Sequence, residues 1–288
     1  MSSISASACA SASAHAPAAV APRLTGVPET LMIPLAMRAA ETLRADAIIR
    51  DPTAERIVAA VDYDFTPFRG AWMTQADVAV RTDIIDELVR AEMARHADLV
   101  VVTLGAGLDG RFDRLDDGRV RWFDLDLPEV IDLRRRFFFE TDRRRFIPRS
   151  LLDFAWIDDV ARRLDEHVLV IAEGVLHYFP EADVRRLLRE IADRLAPADV
   201  VVHTTSPACV GYQAKNRVFR RMRAPFAWGI TSARELAAWD SRIEFVSEQP
   251  FVDRHPHRWR WLRFAKAIPG VGRELRASMK IAHLRFHA

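Results

Sequence analysis

The stretch VVTLGAGLDGRFDRL, residues 101–115, decides how the chain is read. The apolar run DLVVVTLGA enters it, as in a strand buried on both faces of a parallel sheet. The run ends in Gly105-x-Gly107-x-x-Gly110, which matches the spacing of a dinucleotide-binding loop. Taken alone that spacing is a weak signal. A pyrophosphate needs a longer helix behind the loop, with its N-terminus at the phosphates. Only RFDRLDD separates Gly110 from Gly118, room for about two turns. Asp109 stands inside the loop, where it would repel a pyrophosphate. The motif also usually opens its domain, whereas here a long stretch of structured chain precedes it.

A cationic ligand without phosphate explains the same residues better. Gly105 and Gly107 let the backbone approach it closely. Ligands of open parallel sheets sit beyond the carboxyl ends of the strands. The next strand, VRWFDLD, ends at Asp126, whose carboxylate can accept ribose hydroxyls. Asp124, two residues earlier on the same face, is the second choice. A sulfonium cofactor such as S-adenosylmethionine has these properties.

Outward from the loop, strands and helices alternate. PEVIDLRRRFFFE opens with a helix-favouring Pro128. RRFIPRSL reads as a short edge strand, because Pro148 cannot donate to a ladder. EHVLVIAEGVL is a buried strand, PEADVRRLLREIADRLA an amphipathic helix, and ADVVVHTTSP a fifth strand. The alternation implies a doubly wound α/β sheet. Upstream, residues 76–96 have helical apolar spacing, and Pro34 and Pro52 are expected to break residues 26–61 into short helices. Downstream, SARELAAW is a short helix with Ser232 as its cap. RIEFVSEQ and ASMKIAHLRFHA alternate like strands able to close the sheet antiparallel, with HPHRWRWLRFAKAI as a helix or cap between them.

Composition bounds the rest. A net charge of +2 is too mild to argue for nucleic acid or membrane partners. No apolar run approaches the ~20 residues of a membrane span. Cys9 and Cys209 offer neither a disulfide framework nor a metal site, and no metal ligand set is expected; His255 and His257 lack a partner carboxylate or Cys. Residues 1–23 read as a disordered Ala/Ser-rich tail without the marks of a secretory signal, so the expected location is cytoplasmic. The runs Arg134–Arg136 and Arg143–Arg145 read as a solvated face, and Phe137–Phe139 as core.

LGAGLDGRFDRL, FDLDLPEVIDLRR, SLLDF and IAEGVLHYFPEADVRRLL occur in that order. Together with GVPETLMIPLAMRAAE and PFAWGITSARELAAW, they resemble the leucine carboxyl methyltransferase family, and within it the bacterial tetracenomycin-type polyketide O-methyltransferases. The resemblance spans residues 26–288. It implies a class I methyltransferase fold: a Rossmann-like, mostly parallel sheet with a C-terminal antiparallel strand, N-terminal helices and a helical lid. It implies one domain over residues 24–288: helices over 24–97, a cofactor core over 98–206, and lid and strands over 207–288. S-adenosylmethionine would be the cofactor and a small molecule the partner.

Carried over by motif, Arg81 would bind the methionine carboxylate, Gly105 and Gly107 would approach the cofactor, and Asp126 would take the ribose. Asp153 and Phe154 would flank the adenine, with Glu173 near the methionine amino group. The sequence departs from the family pattern at Gly110, at His177 and at His203–Thr204. His177, Tyr178 and His203 lie at strand ends, where an acceptor's proton could be taken. Tyr212, Phe219, Phe226 and Trp228 could shape a lid over an apolar acceptor. The other readings are an NAD(P)-dependent oxidoreductase, a non-catalytic methyltransferase-like binding protein, and an enzyme that consumes S-adenosylmethionine itself.

Overall fold

The structure, a computed structural model, describes residues 20–160, 166–213 and 224–288. Most of the Ala/Ser-rich tail and Phe219 of the expected lid lie outside the described residues. Seven strands form one sheet: β1 Leu99–Leu104, β2 Arg121–Asp126, β3 Arg144–Pro148, β4 His167–Ala172, β5 Ala198–Thr205, β6 Ile243–Pro250 and β7 Met279–Phe286. Their order is β3-β2-β1-β4-β5-β7-β6. The first five strands run parallel, and β7 lies antiparallel between β5 and β6. This is the class I methyltransferase sheet that the sequence implied. Every residue of β1 is buried, which is why it takes a central place. β3 ends in Pro148 and takes the edge, where a missing N–H leaves no broken ladder.

Register positions the functional end. Leu104 of β1 lies level with Leu125 of β2 and Ala172 of β4. The chain therefore leaves three neighbouring strands at one edge, at Gly105, Asp126 and Glu173. The helix after the glycine loop, Arg111–Leu115, is only five residues long, as its sequence requires.

The helix Trp72–Arg95 runs along one face of the sheet. It begins four residues before the expected segment and buries more than one face, because it lies between the sheet and the helix Met32–Thr42. Val80, Ile84, Ile85 and Val89 pack with Val101, Leu169, Val201 and Ile281. On the opposite face Phe123, Val170 and Val200 pack with Trp156, Leu187 and Ile191.

Several expectations need correction. Pro34 does not break its helix: it is the third residue of Met32–Thr42, in a first turn whose N–H groups have no intrahelical partner. Pro52 does open a helix, Pro52–Ala60, behind Asp51, whose Oδ1 accepts the Ala54 N–H at 2.9 Å. Arg134 and Arg144, one from each basic run, are buried rather than solvated. Both point at Asp124 and stack against Phe138, at 4.4 and 4.8 Å from its ring centre. Phe138 is core, whereas Phe139 is 80% exposed.

Candidate active site

The cavity at the carboxyl ends of the strands is built from the loop after β1 outward. Gly105 has φ +71°, and a Cβ there would stand 3.0 Å from Val175, so only glycine carries the chain through this turn. Gly107 donates its N–H to Asp126 Oδ2 at 2.8 Å, and Leu127 donates to Oδ1 at 2.8 Å. The carboxylate thereby holds the β1 loop against the end of β2. Burial pushes Asp126 up to about 6, with the two backbone donors pulling the other way.

Asp124 is not available as a second choice. It is buried, and Arg134 Nη2 at 2.7 Å, Arg144 Nε at 3.2 Å and Trp122 Nε1 at 3.1 Å occupy its oxygens. Arg134 also donates to the carbonyls of Gly107 and Asp109, each at 2.8 Å. Asp124 and Arg134 thus fasten the glycine loop from beneath.

Asp109 does not act as a free charge in the loop. Arg111 Nη1 at 2.9 Å and Arg114 Nη1 at 3.1 Å approach its carboxylate. Although burial opposes ionisation, these arginines hold Asp109 well below the usual carboxylate range. Asp109 therefore brings no unpaired charge to the loop, while the five-residue helix behind the loop and the long helical stretch before it still disfavour a dinucleotide.

Glu173, just past β4, lies between two guanidinium groups. Arg81 Nε reaches Oε1 at 2.6 Å and Arg111 Nη2 reaches Oε2 at 2.7 Å. Burial alone would raise its pKa, but Arg111 and Arg81 overcome that and keep it low. Gly174, with φ +68°, leaves space for Arg81: a Cβ would stand 3.3 Å from its Nη1. Arg111 in turn binds Asp86 at 2.7 Å. The sequence reading missed Arg111 because it sits in the helix whose shortness alone was considered.

His177, Tyr178 and His203 all line the same cavity, beside Arg81 and Phe226. Phe226 lies against the His177 ring, with centres 3.9 Å apart and planes tilted by 47°, and Ala227 donates to the His177 carbonyl at 2.7 Å. His177 and His203 meet edge to face at 5.7 Å. Nδ1 of His177 and both ring nitrogens of His203 are buried without hydrogen-bond partners among the described residues. Burial first, then His203 and Arg81, push His177 well below its usual range. Burial and Arg81 do the same to His203. Both rings are therefore neutral at pH 7. Burial also raises Tyr178.

Asp77, one helical turn before Arg81, lines the cavity too and was not singled out in the sequence. Burial raises it to about 7, partly offset by Arg81. Its only signal would have been the i, i+4 spacing to Arg81 on a helix that buries more than one face.

Asp153 and Phe154 do not line the cavity. Asp153 is exposed and bonded to Arg149 at 2.9 Å, and Phe154 packs into the core under Arg186. Ser150 and Leu151, of the same motif, line it instead. Of the expected lid aromatics, Phe226 reaches the cavity, Trp228 is core against Trp239, and Tyr212 is 62% exposed. In the basic C-terminal strip, Trp259 is buried and Arg258 pairs with Glu41 at 2.5 Å, which makes this segment part of the packing.

The fold and this site define an α/β protein with a cavity beyond the carboxyl ends of a parallel sheet, lined by a glycine loop, a strand-end carboxylate and an Arg–Glu pair. The profile of the leucine carboxyl methyltransferase family matches residues 32–192. The chain is 34% identical to the tetracenomycin polyketide synthesis O-methyltransferase TcmP of Streptomyces glaucescens, over 80% of this chain and 85% of that one. It is 28% identical to the S-adenosyl-L-methionine-dependent methyltransferase dpfgK of Gibberella zeae, over 74% and 78% of the two chains. A DUF574 family protein from Streptomyces avermitilis superposes with a TM-score of 0.52 at 14% identity, covering 88% of this chain and 96% of that one. The chain belongs to the leucine carboxyl methyltransferase family and is a methyltransferase. Among the described residues no helix is long and apolar enough to cross a membrane.

Proposed function

We propose that this protein transfers a methyl group from S-adenosylmethionine to an oxygen of a small molecule, polyketide-like or another secondary metabolite. The observation that carries the proposal is one cavity lined by two kinds of group, with Arg81 next to both. The first comprises the glycine loop, Asp126 and the Arg81–Glu173 pair. The second comprises His177, His203, Tyr178 and Asp77. The names of the relatives support the donor and the oxygen acceptor.

The residues fit the donor. Asp126 offers acceptors to ribose hydroxyls, and Arg81 and Glu173 offer opposite charges to a carboxylate and an ammonium group. Ser150 and Leu151 line the cavity whereas Asp153 and Phe154 do not, which supports the first two as the residues beside the base. When bound, the donor supplies a sulfonium-activated methyl carbon. The chain's part is to align the acceptor oxygen and exclude water.

A hydroxyl acceptor suits the second group better than a carboxylate. Neutral imidazoles offer hydrogen bonds to a hydroxyl, and Asp77, near 7, can take its proton. A carboxylate acceptor would bring a second negative charge towards Asp77.

Calorimetric titration with S-adenosylmethionine, S-adenosylhomocysteine and NADH tests the donor. Micromolar binding of the first two only, lost in Asp126→Ala, is expected; NADH binding alone would overturn it. Methyl-labelled donor with hydroxylated and carboxylated aromatic acceptors tests the rest. A base-stable ether is expected, and a base-labile ester would reject the hydroxyl reading. Donor binding without transfer to any acceptor would favour a non-catalytic binding protein.

A further inference from the structure

A second polar cluster lies at the opposite end of the sheet. Glu92 comes from the last turn of the helix Trp72–Arg95 and His96 from the residue that ends it. His167 opens β4, Asp199 is the second residue of β5, and His283 lies in β7. These strands are neighbours, so all three side chains share the sheet face that the helix covers. Glu92, Asp199 and His283 are buried, at 1%, 0% and 4% exposure. Such groups are seldom buried without a partner of opposite charge.

The contacts are specific. Asp199 Oδ1 meets His283 Nε2 at 2.6 Å, and Oδ2 meets His167 Nε2 at 2.8 Å. The His167 ring lies flat on His96, with centres 3.8 Å apart and planes 9° from parallel. Ligand-capable atoms of Glu92, Asp199 and His283 lie within 4.8 Å of one another, and so do those of Glu92, His96 and His167. Glu92 belongs to both sets. Among the described residues its Oε2 is buried without a hydrogen-bond partner, and His96 Nε2 lies 3.5 Å from it. A buried carboxylate oxygen facing several imidazoles is half of a metal–ligand bond.

We propose that Glu92, Asp199 and His283, with His167, form a binding site for a divalent transition metal of the Zn²⁺ type. Two imidazoles and two carboxylates are a suitable donor set for such an ion. Bound at ~2.0–2.2 Å from each ligand, it would replace the two imidazole–carboxylate hydrogen bonds and spread those atoms to about 3.3 Å. The imidazoles would bind as neutral rings, and the protons they now share with Asp199 would leave to solvent or to the other ring nitrogen. Arg95 on Glu92 Oε1 and Arg285 on Asp199 Oδ1 are 57% and 38% exposed, so both can swing into water as the ion enters. The site lies four residues along β5 from His203, about 13 Å. It is therefore remote from methyl transfer, and its role is to tie the helix to three strands.

Tag-free full-length protein, stripped with a chelator, is titrated with Co²⁺ and then Zn²⁺. We expect one equivalent of Co²⁺ with the visible d–d bands of a low-coordinate ion, displaced by Zn²⁺, and a higher melting temperature with Zn²⁺. Asp199→Asn and the milder His283→Gln should each weaken binding at least about tenfold. His257→Ala, at an exposed histidine, should leave it unchanged. The proposal fails if the wild-type protein binds neither ion tighter than about 10 µM. It fails equally if both site variants bind like wild type. The wild-type titration decides the matter even where a variant does not fold.

Discussion

Asp126 accepts the backbone N–H of Gly107 at 2.8 Å, so the residue proposed to take the ribose also closes the glycine loop on the end of β2. The two duties pull in opposite directions. A charged Asp126 serves a ligand, yet burial penalises that charge in the ligand-free protein and lifts the carboxyl to about 6. A raised folded-state value means stability is fully present below the unfolded value of 3.8 and is lost as pH rises through about 6. Asp126→Asn should therefore stabilise the ligand-free protein above pH 6, by roughly 1–3 kcal/mol, and not below pH 4. The same variant should bind S-adenosylmethionine about 10- to 100-fold more weakly. Urea unfolding at pH 4 and pH 7.5, with calorimetry, reads both effects. A variant destabilised at pH 7.5 would show that Asp126 is chiefly a structural cap.

Asp77 gives a kinetic prediction. With a pKa of about 7, it gains the ability to take a proton as pH rises through neutrality. For a hydroxyl acceptor, kcat/KM should rise between about pH 6 and 8 and then level off. Asp77→Asn should lower kcat about 10²- to 10⁴-fold and abolish that limb, with donor affinity unchanged. His203→Ala should raise KM for the acceptor, because two unpartnered ring nitrogens are lost from the cavity lining. A pH-independent rate in the wild-type protein would remove Asp77 from the chemistry.

The sheet was legible because its signals are local. The burial of β1, the edge role of Pro148 and the strand pair at the C-terminus each follow from a few consecutive residues. Asp126 was legible for the same reason, as the last residue of a strand following a glycine loop. The arginines were not. Arg111, Arg134 and Arg144 look like surface charges in sequence, and only the fold shows which carboxylates they meet. Asp153 and Phe154 were misplaced by a few residues, since no period fixes which side chains of a loop turn inward. Glu92, His96, His167, Asp199 and His283 are separated by up to 191 positions, and nothing in their spacing announces that they converge.

Gly105 tests the loop without touching a charge. Alanine there meets both a positive φ and a Cβ contact of 3.0 Å with Val175. The conformational penalty alone is about 1–2 kcal/mol. Gly105→Ala should lower the melting temperature and weaken donor binding together, because the Gly107 N–H depends on the same turn. Unaltered donor binding in a destabilised variant would detach the loop from the cofactor site.

Arg111 joins the helix Trp72–Arg95, the glycine loop and the end of β4, through Asp86, Asp109 and Glu173. A guanidinium between one buried and two largely buried carboxylates compensates charges that water solvates poorly. Arg111→Met keeps much of the side-chain volume and leaves Asp109 with Arg114, Glu173 with Arg81, and Asp86 with the weaker 3.2 Å contact to Arg114. Breaking a buried pair on one side costs about 3–5 kcal/mol when the remaining charge has no other partner. Here each carboxylate keeps one arginine, which brings the expected loss to about 1–3 kcal/mol. We expect a loss of that size in urea unfolding at pH 7.5. At pH 5 it should shrink, as Glu173, released from its strongest partner, rises towards protonation under the burial that already opposes its charge. The double variant Arg111→Met, Glu173→Gln should recover part of the loss at pH 7.5. No recovery would mean that Arg111 acts through packing rather than charge. Donor binding should suffer in the single variant and in the double, because Arg81 loses the position that Glu173 and Arg111 together impose on it.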